Sequence, residues 1–148
     1  MNELFPTRIF QYSSLDSTTC DIRLISLLPG TKSDEISCRI MHVSLEDNPS
    51  YEAISYTWGN QSLGIGTTTL NGLPFRITPN LQTALYHLRS EDVGRVLWID
   101  ALCINQLDTK EKTDQVQKMR DIYQGASKVL GTGRTGQRSG HDSCCPYG

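Results

Sequence analysis

Residues 97–106 read LWIDALCINQ. Leu97, Trp98 and Ile99 run into a carboxylate, Asp100. A second apolar group around Cys103 runs into two side-chain amides, Asn105 and Gln106. With Gly94 in front, RVLWID (95–100) has the length and texture of a strand buried on both faces. A polar cluster that closes such a strand stands where open α/β sheets place their ligands. A loop is expected after Asp100.

Downstream, Asp108 and Glu111 have capping-box spacing, with Asp in place of the usual Ser or Thr. They open a helix whose apolar side is expected to carry Val116, Met119, Ile122, Tyr123 and Ala126. Gln115 lies one turn after Glu111 on the same face. Where that face meets the Asp100 loop, these residues share one polar cluster.

Upstream, Thr78 is an N-cap candidate and Pro79 suits a first helical position. Leu81, Ala84, Leu85 and Leu88 then recur at helical spacing. Before them, TTTLNGLPFRIT (67–78) holds Asn71-Gly72 between two strand-like pieces, the signal of a tight hairpin. Pro74 cannot donate to a ladder, which places the second piece at a sheet edge or delays its start. IRLISLL (22–28) is a strand closed by Pro29-Gly30. In EISCRIMHVSL (35–45) the apolar side switches between Ile40 and Met41, which predicts a strand with a bulge. YEAISYTWG (51–59) is another strand, rich in aromatic and β-branched residues. This order predicts an α/β fold, a mixed sheet with flanking helices.

The chain has 148 residues, 14 Lys plus Arg against 16 Asp plus Glu, and a net charge of -2. That balance gives no electrostatic footprint for nucleic acid. No apolar run approaches the ~20 residues of a membrane span. The first residues lack a basic segment followed by an apolar one, so a secretory signal is not expected and a cytoplasmic protein is. Five cysteines at irregular spacing and three histidines form no zinc pattern, so no metal is expected and the thiols are expected to be free. From Leu130 the chain turns to Gly, Ser, Thr and Arg without apolar periodicity. Three segments follow: an entry segment with the first strands (1–50), a central domain (51–129) and a disordered tail (130–148).

Each candidate site residue has two readings. Asp100 is either a functional carboxylate at a strand end or the anchor of the turn into Cys103. Cys103 is a core thiol or, with a base beside it, a nucleophile. Asn105 and Gln106 either bridge a loop or face a ligand or partner. Tyr56 and Trp58 suit a core, and Gly59 suits a turn or close backbone approach. Ser55 has no histidine in any triad signature. Glu111, like Glu52 a candidate carboxylate, is most simply a helix-start residue favoured by the helix dipole.

The blocks YEAISYTWG, NGLPFRITPNLQTALYHLR and LWIDALCINQLDTKEKTDQVQKMRDIY, closed by Ala126 and Val129, stand in an order that closely resembles the heterokaryon incompatibility (HET) domain of filamentous fungi. The resemblance implies non-self recognition that ends in programmed cell death, through self-association or protein partners. It marks Tyr56, Trp58, Gly59, Asp100, Asn105, Gln106 and Gln115 as motif residues. The family's proposed distant relation to Toll-receptor-like (TIR) domains implies a flavodoxin-like core. It also raises an enzymatic alternative, cleavage of a nicotinamide dinucleotide (NAD), for which Asp100, Glu111 and Cys103 are the candidates. No Gly-rich phosphate loop accompanies them, so no cofactor is evident from motifs. The match departs after Ala126: where the family continues through a strand with a Trp-Leu-Gly-like motif into further helices, this chain has SKVLGTGRTGQ. The resemblance therefore implies the N-terminal half of such a domain, incomplete or truncated. A third expectation is a non-functional fragment, poorly soluble for want of strands at an open edge.

Overall fold

The structure is a computed structural model that describes residues 10–16, 18–55 and 66–131. Strand β1 (Asp21–Leu27) pairs antiparallel with β2 (Ser37–Ser44), from Asp21↔Ser44 to Leu27↔Cys38. That register has no slip, so the expected bulge is absent. Met41 and Val43 are apolar because the second face of β2 is also partly covered, not because the strand changes phase. Next come β3 (Glu52–Ser55), β4 (Gly66–Leu70) and β5 (Leu73–Ile77). Helix α1 (Pro79–Leu88) precedes β6 (Arg95–Trp98). Helices α2 (Asp100–Cys103) and α3 (Thr109–Gly125) lead to β7 (Lys128–Gly131).

The seven strands form one mixed sheet in the order β5-β4-β2-β1-β6-β3-β7. The β6, β3 and β7 strands run parallel, while β1 pairs antiparallel with both β2 and β6. The Asn71-Gly72 turn joins β4 to β5, with φ 52° and 83°. Positive φ at both central residues is the twist-matched hairpin turn, and the glycine adopts it without a Cβ penalty. Pro74 lies in β5 at the sheet edge, as its missing donor requires. Thr78 caps α1, its side chain accepting from the Leu81 N–H at 3.1 Å, and Leu81 and Leu85 are buried.

One core cluster fills the sheet, built from Ile22, Leu24, Ile25, Leu27, Leu97, Trp98, Ile99 and Leu102 among others. Tyr51 ties α3 to it, its hydroxyl donating to the Ile122 carbonyl at 2.5 Å. A Cβ on Gly125 would stand 3.0 Å from that hydroxyl oxygen, a close approach that favours glycine at the helix end.

Four further expectations change. Asp100 opens a short helix rather than a loop. Val116 is 49% exposed, and the inward residues of α3 are Glu111, Gln115 and Ile122. Two polar residues thus hold positions that an apolar-only stripe passes over. The boundary after residue 129 falls inside β7, because Val129 and Leu130 both pair with β3. Among the thiols, Cys38 and Cys103 are free and buried, whereas Cys20 is disulfide-bonded. Residues 132–148, including most of the expected tail, lie outside the described residues.

Candidate functional site

Strand register decides where the polar cluster forms. Residue 23 of β1 is opposite His42, and residue 25 is opposite both Ile40 and Leu97. Arg23 therefore shares a face with Ile25, Leu27, Cys38, Ile40, His42 and Leu97, and it is 0% exposed. A buried guanidinium needs partners for its donors. Arg23 Nη1 donates to Glu111 Oε2 at 2.5 Å and to the Cys103 carbonyl at 3.1 Å. Arg23 Nη2 donates to Glu111 Oε1 at 2.8 Å and to the Ser13 carbonyl at 2.7 Å. The Tyr12 ring covers the guanidinium, 4.5 Å from Cζ, while its hydroxyl donates to the Leu102 carbonyl at 2.8 Å. One side chain thereby joins the entry segment, a central strand, the end of α2 and the start of α3.

Glu111 works on both sides of the turn between the helices. Its backbone N–H donates to Asp108 Oδ1 at 3.1 Å, which is half of a capping box. Its carboxylate does not return to the cap but accepts the Asn105 N–H at 2.7 Å besides the two Arg23 bonds. Asn105 in turn accepts the Leu107 N–H on Oδ1 at 3.2 Å, and Gln106 Nε2 donates to the Asp100 carbonyl at 2.9 Å. One turn on, Gln115 Nε2 donates to the Asp21 carbonyl at 3.3 Å, and Lys118 Nζ to the Thr19 carbonyl at 2.7 Å. The structure thus brings together Asp100, Cys103, Asn105, Gln106, Glu111 and Gln115. Glu52 is not among them; it pairs with Arg95 at 2.7 Å. Tyr56, Trp58 and Gly59 lie outside the described residues, as does the side chain of Ser55.

Sequence reasoning passed over Arg23 and Tyr12. The signal for Arg23 was a single charge inside the apolar run IRLISLL, which obliges a partner elsewhere. Tyr12 carried no comparable signal.

The chemistry open to these groups is narrow. Burial pushes the Cys103 thiol up to about 12 and the Cys38 thiol up to about 11. A thiol that stays protonated is a poor nucleophile. Cys103 and Cys38 should therefore resist an alkylating reagent near pH ~8 in the native chain and react at once in denaturant. Peptide mass mapping reads this, and modification of native Cys103 at the denatured rate contradicts its burial. The sign for alkaline stability follows. The unfolded chain loses these protons first, so stability falls as pH rises above the ordinary thiol range towards the folded values.

Glu111 accepts from three donors, two on the Arg23 guanidinium and the Asn105 N–H, which fixes its carboxylate in place. Two clefts flank the ion pair. One of about 240 Å³ is lined by Tyr12, Arg23, His42 and Asn71. The other, of about 130 Å³, is lined by Asp108, Lys110, Glu111, Asp114 and Gln115. Among the described residues, no group of three or more His, Cys, Asp or Glu is placed to hold a metal ion. No helix among them is long and apolar enough to cross a membrane.

A family model described as heterokaryon incompatibility protein (HET) matches residues 51–145. Among curated proteins, heterokaryon incompatibility protein 6, OR allele, of Neurospora crassa is 37% identical over 137 residues, covering 82% of this chain and 20% of the relative. The chain thus spans about a fifth of that relative's length. No solved structure matches it at a significant level.

Proposed function

This chain belongs to the heterokaryon incompatibility family, and from that membership we propose that it acts in non-self recognition leading to cell death, by assembling with copies of itself or with protein partners in the cytoplasm. The observation that carries the reading is the 37% identity to an incompatibility protein across most of the chain. The polar cluster supports it in a negative way. The Glu111 carboxylate and both terminal nitrogens of Arg23 are engaged with each other and with backbone groups, which suits a rigid binding module more than a reaction centre.

The enzymatic alternative, NAD cleavage, needs a free carboxylate beside a dinucleotide. The described residues around Glu111 do not fit one. The adjoining cleft of about 130 Å³ falls below the roughly 300–1,000 Å³ of small-molecule sites. Asp108, Glu111 and Asp114 would also repel a pyrophosphate.

Inducible expression of the chain in Neurospora crassa hyphae tests the proposal. Dye-permeable, dying compartments are expected after induction. Normal growth at verified protein levels contradicts it.

A further inference from the structure

The N-cap and first two turns of α3 read DTKEKTDQ (108–115). Glu111, Asp114 and Gln115 stand at i, i+3 and i+4, so helical geometry sets them side by side, with Asp108 one turn before. They line the smaller of the two clefts beside the ion pair, about 130 Å³, whose other wall includes Leu15 of the entry segment. Acidic residues alone do not make a site, and Glu111 is already paired with Arg23. The independent observation is Gln115. It is 1% exposed, the most buried residue of the lining. Its Nε2 donates to the Asp21 carbonyl, and its Oε1 is buried without a hydrogen-bond partner. An unmet buried acceptor is destabilising, so Oε1 at the inner end of this cleft wants a donor from outside. Asp108 uses one oxygen for the helix cap, and among the described residues Asp114 forms no ion pair. Lys110, the one basic residue of the lining, is exposed and does not close on Asp114.

We propose that this cleft receives the side-chain ammonium of a lysine on a protein partner, held by Asp108, Asp114 and Gln115 Oε1. An ammonium brings three donors and no acceptor, which matches three oxygen acceptors. The acids of the cleft are not placed to close on a metal ion, which favours a larger, organic cation. The volume is small for a cofactor but suits one side chain, and half-buried Leu15 offers apolar surface to the methylene stem. A guanidinium is a poorer fit, because its flat fork prefers a bidentate carboxylate and Glu111 already serves Arg23 in that way. The inference rests on the proposed function only for the existence of a protein partner. It is tested on the purified chain with a small probe, so its failure leaves the hyphal assay standing.

The probe is N-acetyl-lysine N-methylamide, titrated at constant ionic strength into the isotope-labelled chain. NMR follows the Gln115 side-chain amide and the backbone amides at the start of α3, and these are expected to shift saturably. Asp114→Asn should weaken binding about fivefold, and Lys110→Met, which removes the like charge, should tighten it to a similar degree. Asp108→Asn keeps a capping oxygen and tests the second carboxylate independently. Circular dichroism checks that each variant keeps its fold. Shifts that do not saturate overturn the proposal. So do equal shifts from the neutral, Nε-acetylated probe, or from ammonium chloride, which has no stem to meet Leu15. An affinity that ignores all three substitutions overturns it as well.

Discussion

Glu111→Ala should cost the chain about 3–5 kcal/mol, the range for breaking a buried ion pair by removing one partner. The loss exceeds that of an ordinary helix-start residue because the pair is inside the protein. Arg23 is 0% exposed and Glu111 8%. Without the carboxylate, two guanidinium donors and the Asn105 N–H lose their acceptor, while the charge of Arg23 stays buried. An exposed dipole-favoured glutamate would cost well under ~1 kcal/mol, so the measurement separates the two roles. Urea unfolding followed by circular dichroism reads the difference. A loss within the surface range would mean that Arg23 finds water or another acceptor.

Trp98→Ala should be comparably severe, about 3–5 kcal/mol, from the transfer and cavity contributions of a large side chain. Trp98 is 0% exposed and the largest of the fully buried side chains. By register it stands opposite Ala53 of β3, and its ring meets Tyr123 of α3 edge-on at 5.6 Å. Its indole N–H is buried without a hydrogen-bond partner among the described residues. Trp98→Phe removes that unmet donor and keeps an aromatic body, so it should cost much less than the alanine change. Thermal unfolding of the two variants makes the comparison. Equal losses would show that the indole N–H is satisfied and contributes to stability.

Much of the fold could be read from local chemistry. Asn71-Gly72, Pro74, Thr78 with Pro79, and Asp108 with Glu111 each act within a few residues of their own position. The hairpin, the edge strand and both helix starts therefore stand where the residues suggest. The apolar run at 95–98 likewise becomes a strand within the sheet. What escaped reading depends on distant pairing. Arg23 and Glu111 are 88 positions apart, and no spacing rule links them. Helical periodicity picks Val116 over Gln115 because it counts apolar residues, whereas this face of α3 is anchored partly by polar bonds to the backbone of Thr19 and of Asp21 at the start of β1. The switch of apolar side in β2 suggests a bulge only if a single face is covered, and both faces of this strand are partly covered.

The motif LWIDALCINQ shows the same division. Its burial and its place at a strand end were legible, but the roles of its polar groups were not. Asn105 and Gln106 bond to the chain around them, and Asp100 gives its carbonyl to Gln106. Family resemblance marked these positions without saying that Glu111, which accepts the Asn105 N–H, is held by Arg23. The incompatibility motif of this chain is, on this account, a latch that fixes the exit of β6 and the entry of α3 against the central strand.

A double-mutant cycle on that latch is the most direct measurement. Arg23→Met, Glu111→Leu and the pair together would be compared with the unmodified chain by urea unfolding. The latch predicts a double variant at least about 2 kcal/mol more stable than the sum of the two single losses implies, because each single change strands a buried partner and the double strands none. Additive losses would contradict it, and would mean that Arg23 and Glu111 do not depend on each other in the folded chain.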